Sequence, residues 1–173
     1  MATIAPVQHA STAAAVANEF LKLASAEPQF PSVDQMKLQK LLFYAHAWHL
    51  AMRDGPLFEN DFEAWPWGPV LRDVYNQTRR YGRSPVNQFI TELRWENGHP
   101  QVVAPDGVGD PGLRAFVRSV WDTLKVYDGI QLSNSTHAEG EPWTIVCKEL
   151  GTEGKPAIPN DLIKTIFKQK LPH

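Results

Sequence analysis

Two histidines and a single cysteine are the side chains in this sequence best suited to chemistry. His46 and His49 are three residues apart, which places them about 60° from each other on a helix. Such a pair can bind a metal ion, but no further ligand follows at a recognisable spacing. Cys147 lacks an activating sequence context, although a Cys147–His137 nucleophile pair is conceivable. We therefore predict no catalytic residues, no metal and no cofactor, with a metal-dependent or cysteine-dependent enzyme as the weakest alternative.

The stretch Glu63-Ala64-Trp65-Pro66-Trp67-Gly68-Pro69 is the most unusual part of the sequence. Its two prolines fix φ, and its glycine permits backbone angles that other residues resist. The pattern predicts a rigid strand-to-helix turn that presents large rings. Tryptophan is common both in cores and at binding hot spots. We therefore expect at least one of Trp65 and Trp67 in the core and the other displayed for binding.

Residues 33–53 form a predicted helix that is apolar around most of its circumference, as in the middle of a core. The narrow polar stripe of this helix, which we expect to face solvent, consists of Gln35, Gln39, His46 and Arg53. Lys37 and Lys40 point away from that stripe, on either side of Tyr44. Two interpretations stay open. Their charged ends reach solvent while their stems pack, or they pair with carboxylates or hold a polar surface that a partner recognises. The nearest acids by topology are Asp61, Glu63 and Asp73.

The elements that must position these residues are mostly helices. Periodicity, caps and proline positions predict helices over residues 11–26, 33–53, 69–81, 111–126, 131–137, 143–150 and 160–170. A capping box at residues 32–35 begins the long helix, and in the first helix Asn18 and Lys22 fall on the solvent side. A short strand is predicted at residues 62–65, and Glu96-Asn97-Gly98 predicts a hairpin within residues 91–104. The fold class is mainly α: a single-domain helical bundle around a central apolar helix, with a minor β element.

Length and charge limit the classes of function. The chain has 173 residues, which fits one domain over residues 1–173, and a net charge of −2 argues against nucleic acid as a partner. Local basic groups are a modest cluster of Arg72, Arg79, Arg80 and Arg83 and the C-terminal Lys164, Lys168 and Lys170, which we interpret as a solvated helix end. One cysteine permits no internal disulfide. With no membrane span and no signal peptide in residues 1–10, we expect a cytoplasmic protein that does not bind membranes.

Several of these motifs together resemble one family. Residues 36–45 (MKLQKLLFYA), Trp48-His49-Leu50, Gly55-Pro56-Leu57-Phe58 and then Glu63 to Val70 (EAWPWGPV) are similar to the Panacea domain of the SocA-like antitoxins, also met as phage-associated proteins. Leu132-Ser133-Asn134-Ser135-Thr136-His137, followed by Glu141-Pro142-Trp143, resembles the later segment of that family. The resemblance covers residues of about 14–168. Trp67 replaces a more usual tyrosine, and residues 84–111 look longer and more β-like than expected, which affects local detail or gives this chain its own partner specificity.

The resemblance implies an antitoxin that binds a cognate toxin and blocks it, or hands it to a cytoplasmic protease. A protease adaptor, or another phage or host regulatory binding protein, is the alternative function. The toxin-binding residues that the family motifs suggest are Lys37, Gln39, Lys40, Tyr44, Glu63, Trp65, Trp67, Gly68, Pro69, Thr136, His137 and Trp143. We expect His137 and Trp143 to pack against the first motif, with Thr136 and His137 as a candidate polar network. The same residues could equally determine the fold.

Overall fold

Apolar side chains recur at helical spacing through most of the chain, and the computed structural model, which describes residues 9–173, has seven α-helices in that range. They are α1 (Ala13–Ala26), α2 (Gln35–Arg53), α3 (Arg72–Thr78), α4 (Pro111–Leu124), α5 (Gly129–Thr136), α6 (Pro142–Leu150) and α7 (Asn160–Gln169). A 3₁₀ turn at Arg79–Tyr81 extends α3 as far as Gly82. The mainly helical, single-domain prediction is confirmed. The prediction of no signal peptide lies almost wholly outside the described residues.

Helix α2 is the centre of the molecule, as its apolar circumference predicts. It packs against α1, α4, α5 and α7, and Leu38, Leu41, Leu42 and Ala45 have no exposed surface. The predicted capping box is wrong, because Asp34 rather than Ser32 caps the helix by accepting a hydrogen bond from the Lys37 backbone N–H at 2.8 Å. The carbonyl of Val33 accepts from the Val86 N–H at 2.9 Å, so the chain is held by another segment just before Asp34.

The antiparallel sheet beside α2 has the order β2-β1-β5, from β2 (Gly68–Val70), β1 (Phe62–Trp65) and β5 (Ala157–Ile158). The strand predicted at residues 62–65 is confirmed. The prediction that Pro69 begins a helix is wrong, because Pro69 lies opposite Ala64 in the sheet. The carboxamide of Gln39 also exchanges two hydrogen bonds with the backbone of Leu71, which keeps the chain extended until α3 begins at Arg72. Trp65 and Gly68 therefore close a β-hairpin, not a strand-to-helix turn.

A second hairpin joins β3 (Glu92–Glu96) to β4 (His99–Val103), as the Glu96-Asn97-Gly98 sequence predicts. Asn97 and Gly98 both have positive φ, 51° and 76°, which is the backbone that a tight two-residue turn requires. Glu92 pairs with Val103 and Glu96 with His99 at the two ends of the ladder. Within residues 9–173 the two strands pair only with each other, so this hairpin is a separate two-stranded sheet.

Asn18 shows how a polar side chain in α1 can belong to the core. The sequence predicts Asn18 on the solvent side, but it is fully buried. Its Nδ2 donates to the carbonyls of Ile90 at 2.9 Å and Pro105 at 2.8 Å, and its Oδ1 accepts from the Ile90 N–H at 2.7 Å. The loops on both sides of the β3–β4 hairpin are thereby fixed to α1. Lys22 is exposed, as predicted. No helix within residues 9–173 is long and apolar enough to cross a membrane.

Candidate functional site

The tip of the β1–β2 hairpin, residues 65–68, displays a large aromatic ring. Trp65 pairs with Gly68, which leaves Pro66 and Trp67 as the connection between the strands. Trp67 is 69% exposed. Trp65 is half-buried but does not belong to the hydrophobic core, so the expectation that at least one of the two tryptophans lies in the core is wrong, whereas Trp67 is exposed as predicted. We call residues 65–68 the hairpin tip.

Three backbone carbonyls of this hairpin are each held by a side chain from a different helix. Trp143 on α6 donates its indole N–H to the Trp65 carbonyl at 2.8 Å. Ser133 on α5 donates its hydroxyl to the Trp67 carbonyl at 2.7 Å. Lys40 on α2 donates from Nζ to the Pro69 carbonyl at 3.2 Å. Because the three donors lie on α6, α5 and α2, three helices together fix the backbone of the hairpin tip and of the residue that follows it.

Lys40 lies in the space beneath Gly68 and is only 1% exposed. A Cβ at Gly68 would be 2.7 Å from Lys40 Cε and 2.8 Å from Thr136 Oγ1, and Gly68 has a φ of +111°. Glycine is therefore required at this position both by its backbone angle and by the close approach of two side chains. Burial lowers the pKa of Lys40 to about 7.

Lys37 serves a different part of the fold. Its Nζ donates to the carbonyls of Pro31 at 2.7 Å and Lys125 at 2.8 Å, and lies 5.3 Å from the centre of the Trp121 ring. The carbonyl of Lys125 is at the C-terminal end of α4, where the helix dipole favours a cation. Burial lowers the pKa of Lys37 to about 8. Lys37 therefore holds the end of α4 and is not part of the hairpin tip.

Neither interpretation of the two lysines describes the structure fully. Lys37 and Lys40 are buried, so their charged ends do not reach solvent. Within residues 9–173 neither forms an ion pair, and the predicted acids Asp61, Glu63 and Asp73 do not contact them. Backbone carbonyls are the acceptors instead. Sequence spacing could not indicate this, because carbonyl groups are present at every residue.

Two residues of the predicted polar stripe of α2 are buried, which corrects the expectation of a solvated stripe. Gln39 is 3% exposed because its carboxamide binds the backbone of Leu71. His46 has no exposed surface, since its ring stacks on Phe58 with centroids 4.6 Å apart and its Nε2 lies 2.9 Å from Asn160 Oδ1. Gln39 thus holds Leu71, the residue that follows β2, while His46 joins α2 to the start of α7.

Glu63 and Trp65 form a polar and aromatic cluster on the other side of the hairpin. Arg72 donates two hydrogen bonds to the Glu63 carboxylate, at 3.0 and 2.8 Å, and the Trp65 indole N–H donates to the same carboxylate at 2.6 Å. The Trp65 ring packs against Tyr75 at 4.7 Å, and Lys155 Nζ lies 4.0 Å from the ring centre. The side chain of Trp65 is therefore fixed, unlike that of Trp67.

The later motif lies against the first one, as predicted. The His137 ring stacks on Trp143, with centroids 3.8 Å apart and an angle of 14° between the planes. Burial, and secondly the charge of Lys40, lower the pKa of His137. Thr136 donates to the Ser133 carbonyl at 2.7 Å rather than to His137, so the predicted threonine–histidine network is not formed. Tyr44 reaches this motif too, because its hydroxyl lies 2.5 Å from Ser135 Oγ.

Ser133 is a site residue that the sequence analysis did not select. Its hydroxyl holds the carbonyl of the exposed Trp67, yet serine is frequent on helices and at turns. The only signal in the sequence is its position inside the Leu132–His137 motif.

The two histidines considered for a metal site are engaged by other groups of the fold. His49 Nδ1 donates its N–H to the Gly55 carbonyl at 2.7 Å, and His46 Nε2 lies 2.9 Å from Asn160 Oδ1. Among the described residues there is no group of three or more His, Cys, Asp or Glu side chains that could hold a metal ion. Burial raises the pKa of the Cys147 thiol, which disfavours the thiolate that a nucleophile needs.

The basic clusters are largely engaged within the fold. Lys164 and Lys168 form ion pairs with Asp54, and Lys170 pairs with Glu141, so these lysines attach α7 to neighbouring segments. Of the arginine cluster, Arg72 pairs with Glu63 and Arg80 donates to Gln88. The ion pairs of Arg72 and of the three lysines reduce the positive charge that nucleic acid would meet.

Comparison with known proteins gives two matches. The family model described as "Antitoxin SocA-like, Panacea domain" matches residues 38–144. That range includes every residue of the predicted site except Lys37, which lies one position before it. The chain is also 31% identical over 140 residues to Antitoxin SocA of Caulobacter vibrioides (strain NA1000 / CB15N), covering 81% of this chain and 72% of that protein. No solved structure matches.

Proposed function

Because the chain belongs to the SocA-like antitoxin family with the Panacea domain, we propose that it neutralises a cognate toxin by direct binding at the hairpin tip. The observation that carries this proposal is the contrast at Trp67. Its side chain is 69% exposed, while its own carbonyl is held by Ser133 and the carbonyls of Trp65 and Pro69 on either side are held by Trp143 and Lys40. An exposed aromatic ring on a fixed backbone loses little freedom on binding, which favours affinity.

The family motif residues have two roles in this proposal. Trp67 contacts the toxin, and Trp65 and Pro66 shape the surface around it. Gln39, Lys40, Gly68, Pro69 and Trp143 hold the hairpin in the binding conformation through the hydrogen bonds and close contacts described above. The interface should bury roughly 1,200–2,000 Å² in total, as stable protein complexes do. Since the chain has one cysteine and hence no internal disulfide, we place its action in the cytoplasm.

Affinity purification of the tagged chain from its native host, followed by mass spectrometry, tests this proposal. We expect a stoichiometric protein that is toxic when expressed alone and harmless when co-expressed with this chain. Recovery of a protease alone, with no toxic partner, would contradict neutralisation by binding and support the protease adaptor function instead.

A matched pair of variants then tests the surface. Trp67→Ala should abolish protection in co-expression, whereas Met52→Ala should retain it, because Met52 is also an exposed apolar residue, 58% exposed, but lies near the C-terminal end of α2. Equal protection by both variants would place the toxin elsewhere on the molecule.

A further inference from the structure

The β3–β4 hairpin has an apolar face that is open to solvent. Leu93 lies opposite Val102, and Trp95 lies opposite Pro100, so these four side chains share one face of the two-stranded sheet. The exposed fractions are 70% for Leu93, 74% for Trp95 and 70% for Val102. Isolated exposed apolar residues are ordinary, but a contiguous apolar face on a soluble protein is often a contact site.

This face continues into a groove beside the hairpin. Leu93 and Val102 form part of the wall of a groove of about 830 Å³. The start of α1 lines the groove with Ala13 and Ala14, and α3 lines it with Asn76 and Gln77. A long side chain or a short segment of a partner bound in this groove would therefore contact apolar surface on the hairpin and polar groups on the helices.

The groove is acidic. Glu59, Asp73 and Glu92 line it, and no lysine or arginine of the described part of the chain does so. The charge of Glu92 is balanced by Arg94, at 2.8 Å. Glu59 and Asp73 are exposed, and the ion pairs within residues 9–173 include neither of them. Two carboxylates that have no ion-pair partner among the described residues, beside an apolar wall, are complementary to a cationic partner with apolar side chains.

We propose that this face and groove dock a basic, amphipathic segment of another protein. Its apolar side chains would cover Leu93, Trp95 and Val102, and its lysines or arginines would lie against Glu59 and Asp73. Pro100 has no N–H to donate, which makes β4 a poor template for an added strand. The segment would therefore be bound by the side chains of this face and groove, not by backbone hydrogen bonds.

A second copy of this chain fits the surface less well. A stable dimer buries about 800 Å² per partner, and the four side chains of the apolar face supply only part of that area. Face-to-face pairing would also bring two acidic grooves together, at an electrostatic cost.

This surface is separate from the hairpin tip, so the inference goes beyond the proposed function. Helix α3 lies between the two. Its Arg72 and Tyr75 contact Trp65 of the tip, whereas its Asp73, Asn76 and Gln77 line the groove. Substitutions can therefore be assigned to one surface or the other.

The probe is a short fluorescent peptide in which lysine and leucine alternate, titrated with the full chain; its control is the same peptide with glutamate in place of lysine. We expect the lysine peptide to bind, with affinity that falls as salt rises, and the glutamate peptide not to bind. Trp95→Ala should weaken binding about tenfold or more, and Asp73→Asn about threefold. Trp67→Ala and Asp161→Asn, an exposed acid on α7, should leave it unchanged.

Equal binding of both peptides would overturn the proposal, as would lysine-peptide binding that Trp95→Ala does not weaken. A concentration-dependent dimer that Trp95→Ala dissociates would assign the face to a second copy and overturn it too. Whether the Trp67→Ala chain still neutralises the toxin does not affect how the lysine peptide binds to the β3–β4 hairpin. The two proposals can therefore be contradicted independently of each other.

Discussion

The side chain of Lys40 occupies the space that a Cβ at Gly68 would need, with Lys40 Cε only 2.7 Å from that position. A lysine in the central helix and a glycine at the tip of a β-hairpin are thus fitted to each other. Thr136 Oγ1 closes the same space from α5, at 2.8 Å. This contact joins the two motifs that carry the family resemblance and makes the conformation of the hairpin tip depend on α2 and α5.

Gly68→Ala should destabilise the fold by about 2 kcal/mol more than Gly98→Ala. Both glycines have positive φ, +111° and +76°, so both variants incur backbone strain. Only at Gly68 would the new Cβ also crowd Lys40 and Thr136, because nothing lies within 4 Å of a Cβ at Gly98. Urea unfolding followed by circular dichroism measures the difference, and equal losses of stability would contradict the close packing described here.

Lys40 should make stability depend on pH above neutrality. Burial lowers its folded-state pKa to about 7 from 10.5, so between these values the unfolded chain binds a proton that the folded chain does not. The cost of burying the charge is therefore complete below pH 7 and is relieved as pH rises. Relative to Lys40→Met, the wild type should gain up to about 1.4 kcal/mol per pH unit in that window. Parallel curves of unfolding free energy against pH for the two proteins would contradict the prediction. Lys37 contributes equally to both.

His46 should make stability depend on pH on the acid side. Burial lowers its folded-state pKa to about 4 from 6.5, against the opposing hydrogen bond to Asn160. Its contribution is therefore fully present above pH 6.5 and is lost as pH falls towards 4, since only the unfolded chain takes up the proton in that range. The free energy of unfolding of the wild type should fall more steeply than that of His46→Gln across this window. An identical acid dependence in both proteins would show that His46 is accessible to protons in the folded state.

The sequence was a good guide wherever apolar periodicity alone decides the structure. The central position of α2, the helices α4 and α7 and the β3–β4 turn all follow from local spacing and turn chemistry. Local pattern failed where a distant partner decides. Asn18 is buried because it bonds to the carbonyl groups of Ile90 and Pro105, and His46 is buried beside Asn160. These partners are all distant in sequence from the residues that they contact.

The candidate site shows the same limit. The selection of the motif residues as a toxin-binding group stays a prediction, and their division into displayed and supporting residues needed the structure. Proline is common both in the first turn of a helix and in an edge strand, so Pro69 alone does not distinguish the two. The hydrogen bonds from Gln39 to Leu71 keep the chain extended and favour the strand. The two tryptophans have equal intrinsic preference for burial, and the packing of Trp65 against Tyr75 distinguishes them.

The most direct test of the proposed binding surface is the affinity of the purified toxin partner for wild-type, Trp67→Ala and Met52→Ala chains, measured by calorimetry. We expect Trp67→Ala to weaken binding by about 2 kcal/mol or more, as loss of a central aromatic anchor does. Its thermal stability should stay near that of the wild type, because Trp67 is 69% exposed. Met52→Ala should bind as the wild type does. Unchanged affinity of the Trp67→Ala chain would contradict the hairpin tip as the toxin-binding surface.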